Sequence, residues 1–464
     1  MDMTKRARFH IFYTLRYLRY GLLLCLVPMV RALIVFDLPA LFLALWQGLS
    51  ILLLCAAAAA YLWWFTGFWV ADGCVLIERG LVLRHCSTYK KESIAVLDLQ
   101  RPLYCRLFGA ARLTLYFKNY AAPKKVLLYL SNKAAQRVAN VLMPVREGAS
   151  VFAPTGFDRL ALTMLSANVL TTALFVYVGA QRVSELLGED LRVLFERAQQ
   201  NFARFESFFA QFLPAGLAMM TALLFGLASV TFLHAFFQTA GLRVCRNGGV
   251  IICRGGVLTK TERRIAVQSI SACDVRVTPA ARLLGRYPLY VQAGSFAGGD
   301  FPLMVYKRSS PHTPEALLTG FRTPDAPLCE PARKSIWQYI GLPCACLALT
   351  LALCGVAFAG LPAVLPVLCV PLVLSIGCLA QSFEGYCKEG VCKNKNRTLA
   401  LWYTRFFTRH EVCVFTPDVS YTVFQSPFGL NQGYASFTLH LPGGARLRAR
   451  GMTQYAANHL PFTL

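Results

Sequence analysis

Apolar runs close to twenty residues long alternate along this chain with stretches whose hydrophobic period shortens to two. The long runs fall at about 20–36, 39–65, 160–180, 212–237, 336–358 and 361–381. A bilayer core needs about twenty apolar residues of helix, so each run is predicted to be a transmembrane helix, and the six group into three hairpins. The first run follows "KRAR" as a secretion signal would, but no small-residue cleavage site comes after it and a second run begins almost at once. It is therefore expected to stay as an anchor, with Arg31 reaching towards head groups.

Between and after the hairpins the pattern changes to strands. Residues 75–109 read "VLIERGLVLRHCSTYKKESIAVLDLQRPLYCRLFG", and 250–285 read "VIICRGGVLTKTERRIAVQSISACDVRVTPAARLLG". Each opens with a β-branched strand, turns at glycine (Gly80; Gly255 with Gly256) and returns as a second strand. Ile94 and Ile270 stand 15 residues before Gly109 and Gly285, and Val414 stands 15 before Gly429 in a third, more divergent block, "VFTPDVSYTVFQSPFG". Two further strands follow in each block: "RLTLYF" and "KKVLLYLS", "PLYVQAG" and "FPLMVYK", "ASFTLHL" and "ARLRARG". A short helix then starts after Ser131, Thr313 or Thr453, all good N-cap residues.

The predicted fold is thus a multi-pass α-helical membrane protein. Six transmembrane helices in three hairpins carry three β-barrel or sandwich domains, each closed by a C-terminal helix. The divisions are a basic N-terminus 1–19, hairpin 20–65, domain 66–158, helices within 159–237 flanking an amphipathic segment 181–211, domain 238–335, hairpin 336–381 and domain 382–464. Internal similarity at this period makes the hairpin with its domain the repeating unit.

Composition supports a membrane protein and orients it. Hydrophobic residues make up 56% of the 464, charged ones 15%, and mean hydropathy is +0.48. Segments 1–19, 66–159, 238–335 and 382–464 hold 42 of the 47 lysines and arginines, whereas 181–211 has four against five acids. The positive-inside rule places the four basic segments, including the N-terminus and all three domains, in the cytoplasm. None of the 17 cysteines lies in 181–211, which agrees with reduced thiols on the inner side. The apolar positions of 181–211 recur at three and four residues, predicting an external amphipathic helix that caps the neighbouring spans.

The glycine-centred hairpins "GLVLR" and "GGVLT" with their "RLFG" and "RLLG" partners, each after a membrane hairpin, resemble the bacterial membrane-flanked pleckstrin-homology-like (PH-like) domain family. Three hairpin–domain units in one chain are similar to its longer, YdbT-like members. The third block departs from the pattern, having lost the Arg-Leu pair and the first turn glycine. The resemblance implies PH-like barrels on the cytoplasmic face of the bacterial cell membrane. It also implies a membrane-protein partner such as a smaller, single-domain PH-like relative. It implies no catalytic chemistry and no particular ligand, because a fold does not fix a function.

Catalytic groupings are missing from the sequence. The seven histidines are scattered, the acids are sparse, and no phosphate-cradling or zinc-ligand spacing occurs. Neither an enzyme nor a cofactor or metal is expected. Nucleic acid is not expected either, since basic and aromatic residues do not interleave across a domain. The leading expectation is a scaffold or regulator of envelope function acting through protein partners. A transporter or flippase-like protein is a second reading, on the polar or helix-breaking positions Arg31, Gln47, Ser166, Asn168, His234, Pro362, Pro366 and Pro371. A third is a sensor of the anionic leaflet. The basic residues expected to face lipid or a partner are Lys90, Lys91, Arg106, Arg112, Arg263, Arg264, Arg282 and Arg286.

Overall fold

A computed structural model describes residues 7–14, 38–71, 73–79, 84–118, 125–145, 150–166, 207–208, 210–211, 215–296, 302–309, 312–318, 329–360, 365–393, 398–405, 408–415, 419–442 and 444–453. The amphipathic segment 181–211 and the run 20–36 lie wholly or almost wholly outside these residues, as do Gly80, Arg31 and Asn168.

Strands dominate. The first unit contains β1 (Ala7–Arg8), β2 (Gly67–Ala71), β3 (Cys74–Arg79) and β4 (His85–Lys90), then β5 (Ile94–Pro102), β6 (Ala110–Phe117) and β7 (Lys125–Ser131). The second contains β8 (Ser150–Phe152), β9 (Arg243–Asn247), β10 (Val250–Gly255) and β11 (Thr259–Ala266), then β12 (Ile270–Val277), β13 (Tyr287–Ala293) and β14 (Met304–Tyr306). The third contains β15 (Gly390–Lys393), β16 (Thr398–Arg405) and β17 (Thr408–Phe415), then β18 (Ser420–Phe424), β19 (Tyr434–His440) and β20 (Arg446–Thr453). Each unit is therefore two antiparallel three-stranded meanders facing one another, a small sandwich. In the first two units a short strand before the long helices adds to the outer strand, as β1 does to β2 and β8 to β9. Cys329 bridges Val391 at the same place in the third. β8, within the expected first domain 66–158, instead belongs to the second unit's sheet.

The sandwiches are not separate. The sheets run in the orders β1-β2-β3-β4, β7-β6-β5-β11-β10-β9-β8, β14-β13-β12-β17-β16-β15 and β18-β19-β20. β5 of the first unit pairs with β11 of the second, and β12 of the second pairs with β17 of the third. The cores follow the same plan. The central core takes Ala95 and Val96 from the first unit and Cys413 from the third, and Ala272 of the second unit is buried in the third unit's core. Strands buried on both faces read as near-continuous apolar runs, which is what "IAVLDL" and "ISACDV" are.

The helices are α1 (Leu38–Phe65), α2 (Leu103–Leu107), α3 (Asn132–Leu142), α4 (Gly156–Ser166), α5 (Ala215–Thr239), α6 (Pro279–Leu284), α7 (His312–Leu317), α8 (Ile336–Gly360), α9 (Leu365–Lys388) and α10 (Pro427–Gln432). Among the described residues two helical stretches, Trp46–Phe65 and Arg333–Gly360, are long and apolar enough to cross a membrane by length and composition. This overturns the expected class of a six-span, three-hairpin helical protein: the described chain is organised by four sheets. The run from 160 shows one reason. It begins within α4, whose Leu162 and Leu165 pack into the central sandwich core rather than facing outwards. Apolar run length records hydrophobicity, not which surface the hydrophobicity covers.

Each sandwich is pinned to a long helix by polar contacts. Trp63 Nε1 donates to the Phe9 carbonyl oxygen at 2.7 Å, and in the second unit the Val257 amide donates to the Phe237 carbonyl oxygen of α5 at 3.0 Å. In the third unit the buried Glu389 carboxylate accepts from Tyr339 Oη at 2.8 Å and from the Thr404 amide at 3.0 Å.

Two repeat positions need correction. The short helices α2, α6 and α10 occupy equivalent places, and the left-handed residues after them are Gly109, Gly285 and Gly433, with φ of +66°, +61° and +72°. Gly429 lies inside α10 instead, where its amide donates to the N-cap Ser426 Oγ. The spacing to Val414 is therefore four residues out of step, and Val414 lies on β17. Similarly, Gly255 is the last residue of β10, and the positive-φ residue of that hairpin is Gly256, at +90°. Ser131 caps α3 through Ala134, and α7 starts at His312 rather than after Thr313. The helix expected after Thr453 lies outside the described residues.

Candidate interaction surfaces

The eight basic residues separate into groups with different surroundings. Arg264 is buried at the first joint. Its guanidinium donates to the carbonyl oxygens of Ala139 and Met143, to Asn140 Oδ1 and to Glu262 Oε1, so its donors are consumed by protein. Arg263, directly opposite Asp98 in the β5–β11 ladder, lies 3.7 Å from that carboxylate and stacks over Phe296. Arg264 is buried and Arg263 is mostly covered, so neither presents a free guanidinium at the surface, where the sequence leads one to expect a lipid- or partner-facing charge. The alternation of a strand put one on each face, and both faces of β11 are covered.

Lys90 and Lys91 are exposed, but at the end of the sandwich away from the helices. β2 leaves α1 at Gly67, and Lys90 pairs with Cys74 at the opposite end of β3. At about 3.3 Å per residue, this puts Lys90 roughly 17 Å along the strand from His85.

Arg106, Arg282 and Arg286 lie at the helix-proximal end. Arg106 Nη1 donates to the Val257 carbonyl oxygen at 3.2 Å, and the Val257 amide donates to the carbonyl oxygen of Phe237 in α5. Arg282 is ion-paired with Glu384 of α9, and Arg286 with Asp158 of α4, where it also stacks over Phe157. Arg112 is half-buried on β6, opposite Tyr129.

The same end carries exposed apolar side chains. Leu107 and Phe108 are 75% and 66% exposed, Leu283 is 88% exposed, and Leu430 is 66% exposed in the corresponding helix of the third unit. At Val257, whose carbonyl oxygen receives Arg106, opens a cleft of about 340 Å³ lined also by Arg101, Arg254, Lys260, Glu262 and the turn glycines, among others. A basic and apolar rim thus surrounds the place where α5 enters its sandwich.

The joints also hold buried polar groups. Asp98 and Asp274 occupy equivalent positions on β5 and β12 and are both buried. Asp274 lies 3.0 Å from His410 Nδ1 across the second joint and accepts from Arg276 Nε at 3.2 Å. Burial alone would raise its pKa, but His410 and Arg276 outweigh burial and hold the carboxyl below the usual range. Burial likewise opposes the Arg264 and Arg254 charges at Glu262, and the charges prevail, lowering its pKa. Gly294 and Ser295 form a second contact at the first joint: the Ser295 amide donates to the Phe117 carbonyl oxygen, and Ser295 Oγ accepts from the Phe117 amide at 3.0 Å. An Asp within an otherwise apolar strand was the available signal for Asp98 and Asp274. For Gly294 the sequence held none.

Cys253 is buried, and burial pushes its thiol up to about 11, away from nucleophilic use. Among the described residues no group of His, Cys, Asp and Glu could hold a metal ion. Of the polar positions within the long apolar runs, His234 is within hydrogen-bonding distance of Gln238 on its own helix, and Ser166 Oγ donates to the Thr163 carbonyl oxygen.

No curated protein and no solved structure matches the chain. Residues 22–146, which include β2–β7 of the first sandwich, match the bacterial PH domain family, and this is the part of the chain for which a PH-like family is supported.

Proposed function

We propose that the chain is a non-enzymatic scaffold or regulator at the cytoplasmic face of the bacterial cell membrane. In this reading all three sandwiches are PH-like domains of the membrane-flanked kind, and the long apolar helices anchor them to the bilayer. The basic and apolar rim meets the anionic leaflet, while the distal ends, with Lys90 and Lys91, face the cytoplasm and protein partners.

One observation carries the reading: shared sheets fuse the units into a continuous row. A row joined by β5–β11 and β12–β17 pairing holds its surfaces at fixed spacing, which suits simultaneous engagement of partners more than independent domain motion. Arg106 and Lys260 beside Leu107, Phe108 and Val257 supply both electrostatic attraction and apolar contact at the helix-proximal end.

The test is purification at endogenous expression in several mild detergents, followed by mass spectrometry. The expected result is a membrane protein recovered in fixed ratio, such as a single-domain PH-like relative. Recovery of the chain without any other protein in every detergent overturns the partner-based scaffold.

A further inference from the structure

The two internal joints are built to one rule. The first strand of a unit's second sheet pairs with the third strand of the next unit's first sheet, as in β5–β11 and β12–β17. The register is also shared. The third residue of the leading strand, Val96 or Ala272, faces the penultimate residue of the receiving strand, Ile265 or Val414. Such a row has two ends, and each end presents one half of the joint. β4 occupies in the first unit the place of β11 and β17, and it is the outer strand of its sheet among the described residues. β18 occupies in the third unit the place of β5 and β12, and it too is an outer strand there.

Their surfaces differ from those of their counterparts in the way an unfilled joint requires. β5 and β12 are buried along most of their length, whereas Ser420, Thr422, Val423 and Phe424 of β18 are exposed, Phe424 by 60%. On β4, His85, Cys86, Thr88 and Lys90 are exposed. Long outer strands with apolar side chains are normally shortened, charged or covered, because their unpaired backbone groups template association.

We infer that β18 of one copy pairs antiparallel with β4 of a second copy, repeating the internal joint and linking chains head to tail. The internal register, transferred through the equivalence of Gly285 with Gly433 and of Ile94 with Ile270, sets Ser420 opposite Tyr89, Thr422 opposite Ser87, Val423 opposite Cys86 and Phe424 opposite His85. The side chains suit this pairing. The position held by the buried Asp98 and Asp274 is taken by Thr422, and the one held by Arg263 is taken by Ser87. A hydroxyl pair replaces the ion pair, so no carboxylate is buried without its cation. Because the two surfaces are different, the contact is heterologous and gives a ring or an open filament on the membrane.

The register gives the test. Facing residues in an antiparallel pair have Cα atoms about 4.5–5.5 Å apart, within the span of a disulfide. Two full-length copies with different tags, both carrying Val423→Cys, are co-expressed, and the native membranes are mildly oxidised. The expected product is a reducible species bearing both tags, with the introduced thiol linked to Cys86 and the link lost on Cys86→Ser. No species with both tags, or linkage of the introduced thiol to another cysteine or to another protein, overturns the inference. As a second measurement, Val423→Lys places a charge on an exposed edge position without touching a core. Native mass spectrometry should then find single copies where the unmodified chain gives multiples. An unchanged mass overturns the inference while leaving the partner-based scaffold to its own co-purification test.

Discussion

Arg264 of the second unit donates to the Met143 carbonyl oxygen of the first at 2.6 Å and to that of Ala139 at 2.9 Å. These carbonyls end α3, where the last turn of a helix leaves acceptors unsatisfied and carries partial negative charge. One cation thus caps the helix that closes the first sandwich, and Glu262, 2.6 Å away, balances its charge. Arg264→Ala removes the cap and leaves the half-buried Glu262 with only Arg254 as its cation, a loss of about 1.5–3 kcal/mol. Arg264→Lys keeps the charge but not the planar fork, and recovers only part of the loss. Hydrogen exchange across residues 132–143 measures both. Unchanged protection in Arg264→Ala means the cap does not hold the joint.

Acid should loosen the row at the second joint. His410 and Arg276 hold Asp274 below its ordinary pKa in the folded chain, so folding favours the ionised carboxylate. That stabilisation is complete above the unfolded value of about 4, and it is lost as pH falls through the folded value. Glu262 shifts in the same direction and adds to the effect at the first joint. Asp274→Asn should lower stability at pH 7 and flatten the acid limb of the profile, read by proteolysis between the second and third units. An acid limb as steep as that of the unmodified chain rules out Asp274 as its source.

Gly294 makes a sharper test of the first joint. Its φ is +53°, and an added Cβ would lie 2.4 Å from the Phe117 carbonyl oxygen and 2.8 Å from Ala95 Cβ. Backbone and a buried neighbour occupy that space, so Gly294→Ala must part the two units or strain them, at more than about 2 kcal/mol. Gly285 has a similar φ of +61° but open space around it, and Gly285→Ala should lose only about 1 kcal/mol. Thermal unfolding of the two variants separates backbone conformation from crowding. Equal losses would mean that the approach of Gly294 to Phe117 is not tight.

How much of this was legible depends on distance along the chain. The hairpin β10–β11, the β13 strand and the Ser131 cap are local features, and turn residues with period-two alternation mark them. The joints are not local: β5 and β11 are more than 150 residues apart, as in Thr259 opposite Pro102. "IAVLDL" and "ISACDV" did announce strands covered on both faces, but not by what. Basic residues were misread for the same reason. Arg264 resembles any surface arginine in "TERRIA" until α3 of another unit arrives to receive it. The third unit's register slipped because Gly429 lies inside the short helix α10 and Gly433 just after it, and only the backbone separates the N-cap partner from the left-handed cap.

The rim should respond to lipid charge, and the distal end should not. Leu107, Phe108 and Val257 are exposed beside Arg106, Arg254 and Lys260, at the end where α5 joins its sandwich. Lys91 lies beyond β4 at the other end. Each basic residue near an anionic surface gains about 1 kcal/mol, and the gain falls off within a Debye length of about 8 Å at physiological salt. In nanodiscs, hydrogen exchange of residues 103–108 and 256–260 should therefore slow when neutral lipid is replaced by anionic lipid. Residues 91–93, more than a Debye length away, should be unaffected. Raised salt should reverse the slowing, and Arg106→Gln with Lys260→Gln should remove most of it. Equal protection at both ends, or none in either lipid, would place the bilayer elsewhere than at the rim.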